Sequence, residues 1–326
     1  MRFIDFEAGC GAQGLFMSET DLPNIKKGQA LVKVAAFGIN RADTLQRQGL
    51  YPPPKGESLI LGLEMAGEIV QLSSELTDSC SFSVGDKVFG LVAGGAYAEY
   101  VTVDIRHLLP KPEQMSYAEA AGVAECFLTA YQAMFVEYEL LKGSQVLIHA
   151  GASGVGLAAI QLAKQQNCHI AVTASNAEKL KACSDNGANL LINYHETDFV
   201  EALNVHAKRD LIIDFIGADY VNRNLAVINL DGCIIQLAML GGRYAANIDT
   251  ALLLGKRVSW IGSTLRSRTA DYKANLVEGF KQQFADKLEN KDLSSNIDVV
   301  YSITDVSLAH ERMENNLNTG KLVCVW

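Results

Sequence analysis

The chain has 326 residues, of which 49% are hydrophobic, and a formal net charge of −9 at pH 7. This length predicts two domains, or one large one, with an ample core. The acidic balance, without a basic stripe, argues against a nucleic-acid partner. No apolar run approaches the roughly 20 residues that a helix needs to cross a bilayer, so no membrane partner is expected.

The cysteines and the first ten residues indicate the cellular compartment. The seven cysteines are scattered and include no C-x-x-C pair, which is typical of free thiols in a reducing environment. The opening M-R-F-I-D-F-E-A-G-C has neither the apolar core of a signal peptide nor the Arg-rich face of a transit peptide. Both observations predict a cytoplasmic location.

Short β-rich runs between glycine and proline turns fill the chain to about residue 121. They cover residues 30–36, 67–72, 86–92 and 96–103. This pattern predicts an irregular, barrel-like all-β domain.

From residue 125 onward, predicted strands and helices alternate. The strands are 146–150, 170–174, 190–194, 211–216, 233–238 and 258–263, and the intervening helices are 155–166, 177–185, 197–207 and 219–227. Such alternation predicts a doubly wound parallel sheet. A tail of helix 271–288, strand 297–303, helix 307–316 and strand 321–326 is expected to pack on the first domain. The predicted domains are therefore 1–122 with 266–326, and 123–265.

The run Q-V-L-I-H-A-G-A-S-G-V-G at residues 145–156 joins the first strand of this second domain to its first helix. Glycines at such a turn let the backbone approach a pyrophosphate, which is held by the N–H groups at the start of the helix. We therefore predict that Ala152, Ser153, Gly154 and Val155 bind a dinucleotide, in which the Ser153 hydroxyl could face the pyrophosphate.

The end of the next strand indicates which dinucleotide binds. In NAD sites an acidic residue about 20 residues past the glycines holds the ribose 2′-OH. Here Ser175 stands at that place, followed by Lys179, and Tyr194 ends the third strand. A hydroxyl, an ammonium and a phenol suit a 2′-phosphate, so we predict NADPH. The alternative is an ordinary solvated strand end.

Loops at the carboxyl ends of later strands complete such a site. Gly217, Ala238, Met239 and Gly241 follow the fourth and fifth strands. We predict that their backbone atoms contact the cofactor whatever their side chains are.

Several segments resemble one enzyme family. They are G-I-N-R-A-D-T-L-Q-R-Q-G-L-Y-P-P-P (38–54), L-G-L-E-M-A-G (61–67), the glycine turn, and A-H-E-R-M-E-N-N-L-N-T-G-K (309–321). They are similar to quinone oxidoreductases, the zinc-free branch of the medium-chain dehydrogenase/reductase superfamily. The resemblance implies an α/β fold, in which a GroES-like β-barrel catalytic domain joins a Rossmann doubly wound parallel sheet. It also implies an active-site cleft between the domains and a homodimer.

The same resemblance predicts further cofactor contacts and the absence of metal ligands. Residues 263–268, including Ser263 and Leu265, match a stretch that touches the cofactor. Lys321 matches a lysine that reaches NADP in some relatives; the alternative is a solvated lysine. The catalytic zinc ligands of the alcohol dehydrogenases fall on Asn40, Leu63 and Glu125. These three side chains cannot make a tetrahedral zinc site, so no metal is predicted. The proton-relay hydroxyl of those enzymes falls on Ala42, and the cysteine-rich zinc lobe is reduced to Cys80.

Three further residues are candidates for contact with the reacting groups. Asn40 is predicted to hydrogen-bond the acceptor carbonyl or the cofactor ribose; the alternative is an asparagine that caps a local turn. Tyr51, before three prolines, is predicted to donate to the acceptor oxygen or to stack on a planar acceptor; the alternative is an aromatic loop anchor. Thr129 is predicted to contact the nicotinamide end.

These observations predict an NADPH-dependent quinone reductase that transfers a hydride without a metal. Two alternatives stay open: a reductase of α,β-unsaturated carbonyls (2-alkenals, enones or enoyl thioesters), and a nucleotide-binding protein with a structural or RNA-binding role. A homodimer is expected because the apolar strand at 257–263, with Trp260, would otherwise be an exposed edge.

Overall fold

The computed structural model describes residues 1–75 and 81–326, so Cys80 lies outside the described residues. It divides into two compact units. The discontinuous unit comprises Met1–Leu128 and Leu265–Trp326, and the central unit comprises Thr129–Thr264. The sequence boundaries predicted above were 122/123 and 265/266.

The strands, numbered along the chain, are β1 (Arg2–Phe6), β2 (Leu15–Glu19), β3 (Gln29–Ile39), β4 (Glu64–Leu72), β5 (Lys87–Leu91), β6 (Tyr100–Asp104), β7 (Leu108–Pro110), β8 (Gln145–Ile148), β9 (His169–Ala174), β10 (Leu190–Asn193), β11 (Arg209–Asp214), β12 (Ile228–Gln236), β13 (Ser259–Gly262), β14 (Ile297–Ser302) and β15 (Lys321–Val325).

The α-helices are α1 (Arg41–Arg47), α2 (Tyr117–Ala121), α3 (Ala124–Tyr131), α4 (Gly154–Gln165), α5 (Ala177–Asn186), α6 (Phe199–Asn204), α7 (Tyr220–Val227), α8 (Thr250–Gly255), α9 (Ala270–Glu289) and α10 (Val306–Glu314). Among the described residues, none of the helices combines the length and the apolar character that a bilayer crossing needs.

The discontinuous unit is built around a mixed sheet of order β14-β15-β3-β4-β5-β7, with β6 also paired to β3. The β14–β15 pair is parallel, and β3 runs antiparallel to β15, β4 and β6. Strand β3 is therefore central, and its apolar residues belong to a core that includes Phe37, Met65 and Tyr97. The last strand of the chain thus belongs to the same sheet as β3.

The central unit contains a parallel sheet of order β10-β9-β8-β11-β12-β13. Counted within the unit, this is the Rossmann order 3-2-1-4-5-6, in which the winding reverses between β8 and β11. The predicted doubly wound sheet is confirmed. Ligands of such sheets bind at the carboxyl ends of the strands near this reversal.

Some predicted elements differ from the observed ones. The run 96–103 is a strand only from Tyr100, because Ala96 and Tyr97 are buried in a turn that packs into the core. The predicted helix 197–207 is shorter, since the Asp198 side chain caps α6 by accepting the N–H of Val200 at 2.7 Å. The β1–β2 hairpin, α1, α2 and α8 were not predicted.

Candidate functional site

The glycine turn of the central unit leads from β8 into α4. The Ser153 hydroxyl accepts the N–H of Gly156 at 3.1 Å, so it caps the helix. The N–H groups of Gly154 and Val155 have no acceptor within residues 1–75 and 81–326. Because the first amides of a helix lack intrahelical acceptors and lie at its positive end, they suit an anionic phosphate.

The turn has no room for side chains at its glycines. A Cβ on Gly156 would lie 2.6 Å from the carbonyl oxygens of both Ala150 and Gly151, and a Cβ on Gly151 would lie 2.9 Å from the Cβ of Val172. These approaches are too close for any side chain, so the glycines hold α4 tightly against the sheet. This geometry fits a dinucleotide.

The loops after β11 and β12 lie together, as the sheet order requires. The N–H of Gly241 donates to the carbonyl of Ile216 at 2.9 Å. Gly217 has φ +65°, and a Cβ on it would lie 3.6 Å from the Cα of Met239 and 3.7 Å from the carbonyl oxygen of Ala238. The four predicted backbone positions therefore form one group.

The ends of β9 and β10 are also adjacent. Ala174 pairs with Asn193, and the N–H of Tyr194 donates to the carbonyl of Ala174 at 3.2 Å, which places Ser175 and Tyr194 side by side. Tyr194 is 41% exposed. Lys179 lies in the first turn of α5, where its N–H donates to the side chain of Asn176 at 2.9 Å. Ser175 and Tyr194 thus lie at the carboxyl ends of β9 and β10, and Lys179 lies in the helix that follows β9.

Thr129 and Ser263 lie at the ends of the central unit, and Leu265 is the first residue after it. The Ser263 hydroxyl donates to Glu137 Oε1 at 2.7 Å and accepts from Gln132 Nε2 at 2.9 Å, so it is engaged within the unit. Leu265 is buried in the discontinuous unit. Thr129 lies on α3 and is partly exposed. Their cofactor contacts stay predictions.

A buried ion pair dominates the polar interior of the discontinuous unit. Lys321 is 2% exposed and Glu64 is 0% exposed, and the ammonium contacts Glu64 Oε1 directly. It also donates to Asn40 Oδ1 at 2.6 Å and to the carbonyl of Ile39 at 3.1 Å. This placement differs from the predicted contact of Lys321 with the cofactor, because all three ammonium protons are used by the protein.

Asn40 begins α1 and is held from several sides. Its N–H donates to Asp43 Oδ2 at 2.8 Å, and its side-chain Nδ2 donates to Glu64 Oε1 at 3.0 Å. Asp43 is fully buried, which raises its pKa to about 6 even though the N–H groups of Asn40 and Gly62 favour the carboxylate. The backbone of Asn40 thus begins α1, as the capping alternative describes. Its side-chain amide bonds instead to the Glu64–Lys321 ion pair.

A chain of buried groups leads away from Asp43. The Tyr97 hydroxyl lies 3.3 Å from Asp43 Oδ2 and 2.9 Å from His310 Nε2, and His310 Nδ1 lies 3.1 Å from Arg47 Nη1. Burial, with the Arg47 charge, lowers the pKa of His310 to about 3, so the ring is neutral. Because arginine only donates, Nδ1 accepts, Nε2–H donates to Tyr97, and the hydroxyl donates to Asp43. The sequence analysis did not predict this series of buried hydrogen bonds.

Glu125 lies beside this cluster. Its N–H donates to Glu64 Oε2 at 2.9 Å. Burial, together with the Glu64 charge, raises the pKa of Glu125 to about 8, so its carboxyl group carries a proton at neutral pH. Burial also raises the pKa of the Cys126 thiol to about 12, which leaves it protonated and unreactive.

The side chains at the positions of the alcohol dehydrogenase zinc ligands do not fit zinc. Leu63 has no donor atom and is buried. The oxygen of Asn40 faces the Lys321 ammonium, which already supplies a positive charge here. Zinc coordination needs three protein donors around one point, and these residues do not supply them.

Tyr51 is partly buried, and its phenol has no hydrogen-bond partner among the residues that the structure describes. Burial raises its pKa, so the phenol keeps its proton. Its ring centroid lies 5.6 Å from Cζ of Arg266, a buried residue that the sequence analysis did not single out. The only signal in the sequence was its place within the segment 263–268.

Comparison with known proteins agrees with this architecture. The model for the alcohol dehydrogenase GroES-like domain matches residues 26–113, and the model for zinc-binding dehydrogenases matches residues 154–282. The human quinone oxidoreductase is 28% identical over 315 residues, 94% of this chain and 92% of that protein. The Danio rerio synaptic vesicle membrane protein VAT-1 homolog is 29% identical over 318 residues, 92% of this chain. The chain spans 65% of that relative's length.

A solved structure of the Escherichia coli quinone oxidoreductase complexed with NADPH superimposes with a TM-score of 0.87, at 26% identity and over 100% of both chains. The two family models are the two domains of the medium-chain dehydrogenases/reductases, an oxidoreductase superfamily. The chain belongs to this superfamily and, within it, to the quinone oxidoreductase branch.

Proposed function

We propose that the protein is a cytoplasmic NADPH-dependent quinone reductase that transfers a hydride without a metal. The observation that carries the proposal is the glycine turn, where the N–H groups of Gly154 and Val155 lack acceptors among the described residues. When bound, NADPH supplies the hydride. The E. coli relative with NADPH supports the same cofactor here.

The preference for NADPH rests on the predicted site of Ser175, Lys179 and Tyr194. A hydroxyl, an ammonium and a phenol there favour a 2′-phosphate. Each charge-assisted hydrogen bond contributes roughly 1.5–3 kcal/mol, so the preference over NADH should be about ten- to hundredfold.

In the discontinuous unit, Tyr51 is the better acceptor-binding candidate of the two predicted catalytic residues. Its phenol has no partner among the described residues, whereas the Asn40 amide is already engaged with Glu64 and Lys321. We therefore propose that Tyr51 donates to the acceptor oxygen. Asn40 would serve by fixing the start of α1 and the ion pair beside it.

Steady-state oxidation of NADPH with 9,10-phenanthrenequinone, 1,4-benzoquinone and a 2-alkenal tests the activity. Faster turnover of the quinones supports the proposal, and preferred turnover of the alkenal favours the α,β-unsaturated carbonyl reductase instead. NADPH binding without turnover of any acceptor, together with salt-sensitive RNA binding, would favour a nucleotide-binding protein with a structural or RNA-binding role.

The cofactor preference has its own test. Lys179→Ala should weaken NADPH binding and leave NADH binding unchanged. Lys181→Ala, an exposed lysine on the same helix paired with Asp185, is the matched control and should change neither. Equal effects of the two substitutions would contradict the predicted role of Lys179.

A homodimer is part of the proposal. Strand β13 ends the parallel sheet and pairs only with β12 in the described chain, and Trp260 on it is 40% exposed. Pairing of two such edges around a two-fold axis would cover this strand.

A further inference from the structure

Arg266 has a hydrogen-bond donor that the protein does not use. The side chain is 5% exposed. Its Nε donates to the carbonyl of Ala93 at 2.8 Å, and its Nη2 donates to Gln46 Oε1 at 2.7 Å. Its third nitrogen, Nη1, is buried and has no partner among the residues that the structure describes. A buried donor without an acceptor is destabilising, and more so on a charged group.

The neighbours of Arg266 fix it in this arrangement. Gln46 donates through Nε2 to the carbonyl of Leu59 at 2.8 Å, which turns its Oε1 toward the guanidinium. Lys273 Nζ donates to the carbonyl of Arg266 itself at 2.8 Å. The backbone and the side chain of Arg266 are therefore held in place, and Nη1 remains available to bind a ligand.

The partners of this guanidinium are neutral oxygens. Within residues 1–75 and 81–326, no carboxylate lies within ion-pair distance of Arg266. A buried cation without an anion is costly. An oxygen that carries or develops negative charge would offset that cost, which is the property of an electron acceptor that has received a hydride.

A flat aromatic group suited to such an acceptor adjoins Arg266. Arg266 Cζ lies over the Tyr51 ring, 5.6 Å from its centroid. An aromatic side chain and a buried, positively charged donor thus lie together in the discontinuous unit.

We propose that Arg266 Nη1 binds the acceptor oxygen on which negative charge develops. The inference rests on the proposed quinone reduction. Hydride addition converts the quinone to a hydroquinone monoanion, whose oxygen accepts the N–H of Arg266. An O–H bond of a water molecule then breaks, its proton moves to this oxygen, and hydroquinone and hydroxide leave.

Movement of Tyr51 would give an acceptor access to Nη1. Nη1 is closed off from solvent, whereas Tyr51 is only partly buried and lies in irregular backbone between α1 and β4. When the Tyr51 ring turns aside, an acceptor oxygen can reach the N–H of Nη1.

Kinetics of Arg266 variants test the oxyanion role. Arg266→Gln should lower kcat/KM for 1,4-benzoquinone by about 10²–10³-fold, the loss that follows removal of one oxyanion donor, with an unchanged dissociation constant for NADPH. Arg266→Lys should retain part of the activity, and added guanidinium should restore part of the activity of Arg266→Ala. The control is Arg106→Gln, which removes an exposed arginine of the same unit that pairs with Asp104 and Asp271.

A binding measurement avoids turnover altogether. The probe is 4-nitrophenol, a planar aromatic whose phenolate is coloured. Positive charge beside the oxygen favours the phenolate, so the pKa of the bound probe should fall in the unmodified protein and in Arg266→Lys, but not in Arg266→Gln. An equal pKa of the probe in all three proteins, or no rescue by guanidinium, would overturn the role of Arg266.

The outcomes separate this inference from the proposed function. A protein that binds NADPH but reduces no quinone would refute the proposed function. A protein that reduces quinones as well with Gln as with Arg at position 266 would refute only the present inference.

Discussion

Removal of the buried ammonium should destabilise the discontinuous unit strongly. In Lys321→Met, Glu64 Oε1, Asn40 Oδ1 and the carbonyl of Ile39 each lose a donor. Breaking one side of a buried ion pair costs about 3–5 kcal/mol. A domain of this size shifts by roughly 2–4 °C in Tm per kcal/mol, so we expect Tm to fall by about 6–20 °C.

The two tryptophans allow the effect to be assigned to one unit. Trp326 belongs to the discontinuous unit and Trp260 to the central unit, and the chain has no others. Urea unfolding followed by fluorescence in a Trp260→Phe background therefore reports on the discontinuous unit. Lys281→Met, an exposed lysine on α9, is the control and should change the free energy of unfolding by less than about 0.5 kcal/mol.

The measurement belongs at neutral pH. Burial opposes the ammonium, but the charge and the hydrogen bond of Glu64 raise the pKa of Lys321 overall. A folded-state pKa above that of an unfolded lysine, about 10.4, means that the stabilisation is fully present below that pH and is lost as the pH rises through the folded-state pKa.

A double variant distinguishes the effect of the unpaired Glu64 charge from the effect of lost packing at position 321. Adding Glu64→Gln to Lys321→Met removes the uncompensated charge, so the double variant should be more stable than Lys321→Met alone. A loss below about 1 kcal/mol in Lys321→Met would refute the reasoning, because the pair would then behave like an exposed salt bridge.

Three further substitutions test other features. Gly156→Ala places a Cβ 2.6 Å from the carbonyl oxygens of Ala150 and Gly151, so NADPH affinity should fall about tenfold or more, equivalent to roughly 1.4 kcal/mol; unchanged affinity in a fluorescence titration would contradict the tight turn. Tyr97→Phe removes the hydroxyl between a buried carboxylate and a buried imidazole, and urea unfolding should show a loss of about 1–3 kcal/mol; a neutral result would mean that the hydroxyl is dispensable. Trp260→Arg places a charge on β13 and should shift a dimer toward monomer in sedimentation; an unmodified protein that is only monomeric would refute the dimer.

The central unit was the more predictable part of the fold. Its strands are short apolar runs followed by amphipathic helices. The spacing of the apolar residues in each element therefore indicates which of its faces is buried. Strand β8 was predicted from residue 146 and begins at Gln145, and α4 was predicted from residue 155 and begins at Gly154. Local pattern decides such elements because the inner strands β8, β9 and β11 are buried on both faces.

The discontinuous unit was harder to predict because its contacts join distant parts of the chain. The apolar character of residues 96–98 comes from a buried turn, and periodicity cannot distinguish that from a strand. Lys321 meets Glu64, and Arg266 meets Gln46, across separations that no local pattern records. A lysine or arginine in the sequence is normally read as solvated, which is why neither pairing was anticipated.

The position of β15 has a consequence for synthesis of the protein. Strand β6 pairs with residues 29–33 of β3, and β15, which is made last, pairs with residues 36–39. While the ribosome is still translating the tail, residues 36–39 are an unpaired edge open to wrong partners, whereas the central unit has all of its strands and can fold at once. The nascent chain therefore carries a finished nucleotide-binding half before its other half is able to close.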